Sequence, residues 1–144
     1  MRYLYDQLRP QLSRDEGRKA SAYQDHEGNW TIGVGHLIDA KLGGTLPDFI
    51  IDDLLNYDIN VKLKEVLTAF PWASTLSEPR LGVLVNMCFN MGIDNLRGFK
   101  LMLAAMEKGD WQEASIQCAD PDYVKDVGQR ALRLAKQLLT NEWQ

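Results

Sequence analysis

The stretch that most restricts the fold runs from Thr45 to Phe70. Phe49, Ile50, Leu54, Leu55, Ile59, Leu63, Val66, Leu67 and Phe70 recur there at helical spacing. Thr45 suits an N-cap, Pro47 and Asp48 suit a first turn, and Pro71 stops the run. About 24 residues rising ~1.5 Å each span roughly 36 Å. That is too long for one small lobe of a 144-residue chain. The pattern therefore predicts a helix that connects an N-terminal αβ lobe to a C-terminal helical lobe.

Beyond Pro71 the chain reads as helices separated by Gly and Pro. Ser77 and Pro79 open a helix running to Met91 and capped by Gly92. Its Leu81, Val83, Leu84, Val85, Met87, Cys88, Phe89 and Met91 leave it apolar almost all round, as a buried central helix would be. Asp94 to Lys108 is helical with a break at Gly98, and Gly109 stops it. Asp110-Trp111-Gln112-Glu113 resembles a capping box and starts a short helix to Ala119. Pro121 breaks the chain again. Gln129 to Thr140 is a last amphipathic helix, with Leu132, Leu134, Ala135, Leu138 and Leu139, followed by Trp143.

At the other end, Leu4, Leu8 and Leu12 make a stripe over Met1 to Glu16. Pro10 interrupts it, so the ordered helix is expected from about Pro10, and Gly17 is placed to end it. Ser21 to Gln24 and Asn29 to Ile32 are short strand signals flanking the turn-rich Asp25-His26-Glu27-Gly28, a hairpin pattern. Gly33-Gly35 and Gly43-Gly44 then loosen the backbone.

Composition limits the function classes. Apolar residues make up 45% and charged residues 25%, as in a soluble globular protein. With 16 basic and 20 acidic residues the formal charge is −4, which argues against nucleic acid as a partner. Met1 to Arg9 carries charges and no apolar segment of a signal peptide. No run approaches the ~20 apolar residues of a membrane span, so no stable membrane insertion is expected. Cys88 and Cys118 lie in helical apolar patterns and read as reduced core thiols.

Two carboxylates stand out. Glu16 falls at a helix C-terminus, where the negative helix end and burial favour keeping a proton. Asp25 falls at a hairpin tip, where it would stay solvated and ionised. Two acids in contrasting surroundings suit general acid and carboxylate roles in glycoside hydrolysis. Taken alone they better suit solvated surface groups and a turn-capping Asp, since acids are common at helix ends and turns. Other motifs are weaker. Gly33-Val34-Gly35 lacks the third glycine and βαβ setting of a nucleotide site. Asp25-His26-Glu27 with His36 makes a poor metal site, because a hairpin sends neighbouring side chains to opposite faces. No Ser-His-Asp set stands out. Neither a metal nor another cofactor is expected.

The chain resembles the phage-type lysozymes, the muramidases of glycoside hydrolase family 24. The residues that carry the likeness are Asp15-Glu16-Gly17, Tyr23-x-Asp25, Gly28 and Thr31-Ile-Gly-Val-Gly-His36. They continue through Asn86-Met87-x-Phe89-x-Met91-Gly92, Gly98-Phe99, the Trp111 to Ala114 segment and Gln129-Arg-Ala-Leu-Arg133. They occur in family order over nearly the whole chain. The resemblance implies an α+β, mainly helical, two-lobed lysozyme-like fold. The small αβ lobe would take about 15–50 and the connecting helix about 51–70. The helical lobe would take about 71–144 together with the N-terminal helix.

It also implies roles. Glu16 looks like the general acid and Asp25 like the second carboxylate. Thr31 looks like the residue opposite them, where water or the anomeric carbon would sit. Whether Asp25 positions water or bonds to the sugar stays open. Leu37 and Phe89 match sugar-binding positions, Gln117 stands where an amide is common, and Met102 departs from the expected polar residue. Arg130 and Arg133, three apart on one helix face, would reach back to Glu16 and Asp15, against the bland alternative of two solvated arginines. His36 reads as structural, with an ion pair to Asp58 as the hypothesis. The segment from Leu37 to Gly44 is compressed, so the small lobe should be reduced, open to the loss of a third strand.

The function so implied is an endolysin that hydrolyses the β-1,4 bond between N-acetylmuramic acid and N-acetylglucosamine, with peptidoglycan glycan strands held in a cleft between lobes. The enzyme would act as a monomer, made in the host cytoplasm and reaching periplasmic peptidoglycan through a holin-type membrane lesion. The net charge of −4 is unusual for an enzyme of the anionic wall. A lytic transglycosylase on the same fold is one alternative, disfavoured by the presence of Asp25 and Thr31. A non-catalytic wall-binding phage module is the other, disfavoured by the complete triplet.

Overall fold

The computed structural model describes residues 7, 10, 12–15, 17–39 and 46–144, the side chains of 38 and 39 excepted. The chain divides into two compact units, Met1–Asp52 and Asp53–Gln144. The fold is α+β and mainly helical, with a small antiparallel sheet near the N-terminus.

In the first unit, residues 12–15 are helical. Gly17 follows at φ +77°, the left-handed value that ends helices and that glycine adopts without Cβ conflict. Leu4, Leu8 and Glu16 lie outside the described residues, as do the proposed N-cap Thr45 and the Gly43-Gly44 break. Three strands follow: β1 (Lys19–Gln24), β2 (Trp30–Gly33) and β3 (His36–Asp39), in the order β1-β2-β3. The hairpin predicted around Asp25 is formed, with Gln24 opposite Trp30 and Tyr23 opposite Thr31. The third strand, whose loss the compressed segment had left open, is present. A two-residue turn at Val34-Gly35 suffices to bring His36 opposite Ile32 and Leu37 opposite Thr31, so compression after Leu37 does not cost the strand.

Helix α1 (Asp48–Ala69) begins after Pro47, whose carbonyl accepts from the Ile50 and Ile51 N–H groups at 2.9 and 3.2 Å. Its 22 residues include the boundary between the two units. As predicted, Pro71 ends it; a single 3-10 turn (Pro71–Thr75) follows.

The second unit is a helical bundle. Helix α2 (Glu78–Arg97) is interrupted at Gly92, where φ 79° and ψ 164° break the helical path. The predicted stop at Met91-Gly92 is thus a change of direction rather than an end. Helices α3 (Lys100–Lys108), α4 (Trp111–Cys118), α5 (Pro121–Val127) and α6 (Gln129–Thr140) complete it. Asp110 caps α4 by accepting from the Glu113 N–H at 3.1 Å. Asp120 caps α5 by accepting from Asp122 and Tyr123 at 3.0 and 3.2 Å.

The core joins Val83, Leu84, Met87 and Cys88 of α2 to Ala131, Leu134 and Leu138 of α6, with Met102 and Met106 of α3 and Cys118 of α4. Both cysteines are free and buried. Burial pushes the Cys118 thiol up to about 12 and Cys88 up to about 11. Cys88 also donates to Glu65 Oε2 at 3.4 Å, and Lys62 meets both oxygens of that carboxylate at 3.0 Å. Arg80 lies 3.7 Å from the centroid of the Trp111 ring and donates to the Leu138 carbonyl at 3.1 Å, which ties α2 to α4 and α6.

Candidate active site

Asp25 is the best-defined functional candidate. It follows β1, and its carboxylate closes the turn that the sequence pattern announces. Oδ1 accepts the backbone N–H of Glu27 at 2.9 Å and of Asn29 at 2.8 Å. Oδ2 accepts the Asn29 side-chain amide at 3.2 Å. The main chain closes the same loop, with Asp25 N–H donating to the Asn29 carbonyl at 3.0 Å and Gly28 N–H to the Asp25 carbonyl at 3.1 Å. These donors favour the charged form. They hold the Asp25 carboxyl below its ordinary value, with the Asn29 backbone N–H the largest cause and partial desolvation opposing it. Asp25 is therefore a carboxylate at neutral pH, as anticipated for a hairpin tip.

Thr31 lies in the central strand and is 5% exposed. Its Oγ1 donates to the Asn29 carbonyl at 3.4 Å. Asn29 thus touches both candidates, through its N–H and amide to Asp25 and through its carbonyl to Thr31. Sequence reasoning passed over Asn29. The signal was present in the Asp25-to-Asn29 spacing, because an Asp that starts a tight loop accepts N–H groups two to four residues on.

Tyr23, Thr31 and Leu37 form one row across the sheet. Directly opposed residues share a face, so Leu37, 52% exposed, lies beside Thr31. His36 is exposed at the start of β3. Asp15 pairs with Arg14, at 3.0 Å between Nε and Oδ1. Glu16, between Asp15 and Gly17, lies outside the described residues.

The remaining candidates belong to the second unit. Phe89 is half exposed on α2 and lines an apolar groove of about 500 Å³ with Leu55, Ile59, Leu63 and Val85. Asn86 and Arg130 add polar groups to the same groove. Arg130 donates Nε to Asn86 Oδ1 at 2.8 Å and a terminal nitrogen to the Asn86 carbonyl at 3.2 Å. Among the described contacts of Arg130 the partner is thus Asn86, another family-pattern residue the sequence reading did not place in the site. Arg133 is exposed on α6. Met102 and Gln117 come together in a second cavity, of about 350 Å³, with Asn95, Lys100 and Asp120. Met102 is 1% exposed and belongs to the core, so it is a floor to that cavity rather than a projecting contact. Gln117 holds its amide by donating to Glu113 Oε1 at 2.8 Å. Among the described residues, no group of three His, Cys, Asp or Glu side chains could hold a metal ion.

Comparison with known proteins decides the family, because residues 13–137 match that of the phage lysozymes, described as "Phage lysozyme". The chain belongs to the phage lysozyme family. It is 28% identical over 153 residues to "Probable T4-type lysozyme 2" of Dictyostelium discoideum, covering 88% of this chain and 90% of that protein. "Probable T4-type lysozyme 1" of the same organism is 27% identical over 154 residues, with the same shares. The "Pre-baseplate central spike protein Gp5" of Enterobacteria phage T4 is 29% identical over 154 residues, covering 90% of this chain but 27% of that longer protein. Membership makes this phage lysozyme a glycoside hydrolase of the peptidoglycan-degrading class. The lysozyme-like α+β architecture agrees with it.

Proposed function

We propose that the protein is an endolysin muramidase that cleaves the β-1,4 bond between N-acetylmuramic acid and N-acetylglucosamine. Glu16 is the general acid that protonates the leaving oxygen, and Asp25 and Thr31 serve the opposite side of the reaction. The observation that carries this reading is the Asp25–Asn29–Thr31 unit. It supplies a carboxylate kept ionised by three N–H donors, linked through one residue to a nearly buried hydroxyl. A permanent negative charge there favours an oxocarbenium-like transition state.

The same bonds favour one use of Asp25 over another. Oδ1 already accepts two N–H groups and Oδ2 one. A carboxylate so engaged is a weaker nucleophile and a better fixed charge. We therefore assign Asp25 to stabilising the cation and, with Thr31, to orienting water. Leu37, beside Thr31 on the sheet, offers an apolar surface to a pyranose ring. On this reading the enzyme acts as a monomer and reaches the wall from the host cytoplasm through a holin-type lesion. Lysis of host cells that depends on a co-expressed lesion-forming protein would test that route.

Digestion of purified Gram-negative peptidoglycan, with products separated by mass, tests the chemistry. Wild type should generate new reducing ends, and Glu16→Gln should generate none while staying folded. Anhydromuramic products would replace the hydrolase by a transglycosylase. No soluble product from folded wild type, with co-sedimentation on walls, would replace it by a binding module.

A further inference from the structure

The turn that closes on Asp25 carries a second carboxylate, that of Glu27. Glu27 acts on Asp25 in two ways. Its backbone N–H donates to Asp25 Oδ1 at 2.9 Å. Its side-chain Oε2 accepts the Asn29 amide at 3.4 Å, and the same amide nitrogen donates to Asp25 Oδ2 at 3.2 Å. Asp25, Glu27 and Asn29 thus form a closed ring of three hydrogen bonds that engages both Asp25 oxygens. His26 Nε2 stands 3.8 Å from the other Glu27 oxygen, Oε1.

The chemistry of an amide gives the second carboxylate a purpose. A primary amide has a donor end and an acceptor end, whereas an ionised carboxylate only accepts. Asp25 and Glu27 therefore both call for the nitrogen end of Asn29, which fixes the way the amide faces. Its two N–H bonds lie in one plane and serve one carboxylate each. Rotation of the amide breaks both contacts at once. Without Glu27, the bond to Asp25 alone opposes the broad terminal torsion of an Asn side chain. At 3.2 Å that bond is at the long end of the normal range.

Charge works in the opposite direction, because a like charge nearby disfavours an ionised Asp25. The Glu27 side chain is 70% exposed, however, so water and salt screen its charge. The hydrogen bond acts at contact distance, and the brace is the larger of the two effects. We propose that Glu27 is a positioning residue for hydrolysis, acting on Asp25 by fixing the Asn29 amide. This rests on the muramidase reading, in which Asp25 serves as a fixed charge.

Glu27→Gln and Glu27→Ala separate the brace from the charge. Gln keeps an acceptor oxygen and loses the charge; Ala loses both, and the backbone N–H to Asp25 stays in each. Side-chain nitrogen relaxation of Asn29 at neutral pH should show a looser amide in Glu27→Ala and a wild-type one in Glu27→Gln. On peptidoglycan, kcat should fall by at least about threefold in Glu27→Ala with KM unchanged, and Glu27→Gln should restore it. Equal kcat in all three proteins would overturn the proposal. So would the same change in both variants, which would leave only the charge, or a loss carried by KM. Absence of hydrolysis by wild type would overturn the muramidase reading instead, while the Asn29 amide would still report whether the brace exists.

Discussion

Asn29 grips both oxygens of Asp25, one with its backbone N–H at 2.8 Å and the other with its side-chain amide at 3.2 Å. The two residues sit at opposite ends of a turn closed by five hydrogen bonds, so the geometry of the loop and the charge of the carboxylate are bound together. A hydrogen-bonded carboxylate prefers to stay charged, and a charged carboxylate holds the loop closed.

That coupling gives a pH dependence with a definite sign. The folded-state pKa of Asp25 lies below the ordinary value of 3.8. As pH falls past the ordinary value, the unfolded chain takes up the proton first, so the contribution of this turn to stability begins to fade. It is lost as pH drops through the folded-state pKa and is fully present above the ordinary one. NMR titration of the Asn29 and Glu27 amides should report a midpoint below that of a free Asp side chain. Asn29→Ala should raise that midpoint and lower hydrolysis severalfold, since the backbone donors remain. An unchanged midpoint would mean that the side-chain amide has no part in holding the charge.

Thr31→Val should separate the hydroxyl from the packing. The side chain is 5% exposed and its long bond to the Asn29 carbonyl is 3.4 Å. Removing a bond of that kind should cost about 1 kcal/mol or less in stability. If the hydroxyl orients water, kcat should fall by at least tenfold with KM little changed, roughly 1.4 kcal/mol in the barrier. A variant with wild-type kcat would reduce Thr31 to a structural residue of β2.

Gly92 carries φ 79° and ψ 164°, a conformation open in practice only to glycine. There is free space where a Cβ would go, so the cost of Gly92→Ala is backbone strain and not a clash. Denaturant unfolding should show a loss of about 1–3 kcal/mol. A change under about 0.5 kcal/mol would mean that α2 can straighten there without harm.

The thiols offer a direct check on the core. Cys88 and Cys118 are both fully buried, and their pKa values are pushed up to about 11 and about 12. A thiol that is neither ionised nor accessible does not react readily. A thiol-specific disulfide reagent at pH 8 should leave both untouched over minutes in the native protein and titrate two per chain in denaturant. Rapid native reaction of either would show that the bundle around α2 and α6 opens easily.

Much of this was legible in the chain itself. The periodicity from Phe49 to Phe70 and the stop at Pro71 define α1, since apolar spacing and a missing N–H act locally. The Asp110 cap joins residues three apart, and the turn of the hairpin around Asp25 joins residues four apart. Family motifs extended that reading to the class of enzyme, because the chemistry of a site constrains residue types at fixed positions. What tertiary structure decided was pairing between distant or ambiguous partners. Strand β3 forms although its segment is short, because a partner strand with open hydrogen-bonding groups was already in place at β2. Met102 could not be told from a projecting contact until the core enclosed it. Arg130 found Asn86, 44 positions away, and Tyr123 was packed edge-on against Phe99. Local sequence determines which elements form and where they end. Which side chains meet depends on packing, and no spacing along the chain records it.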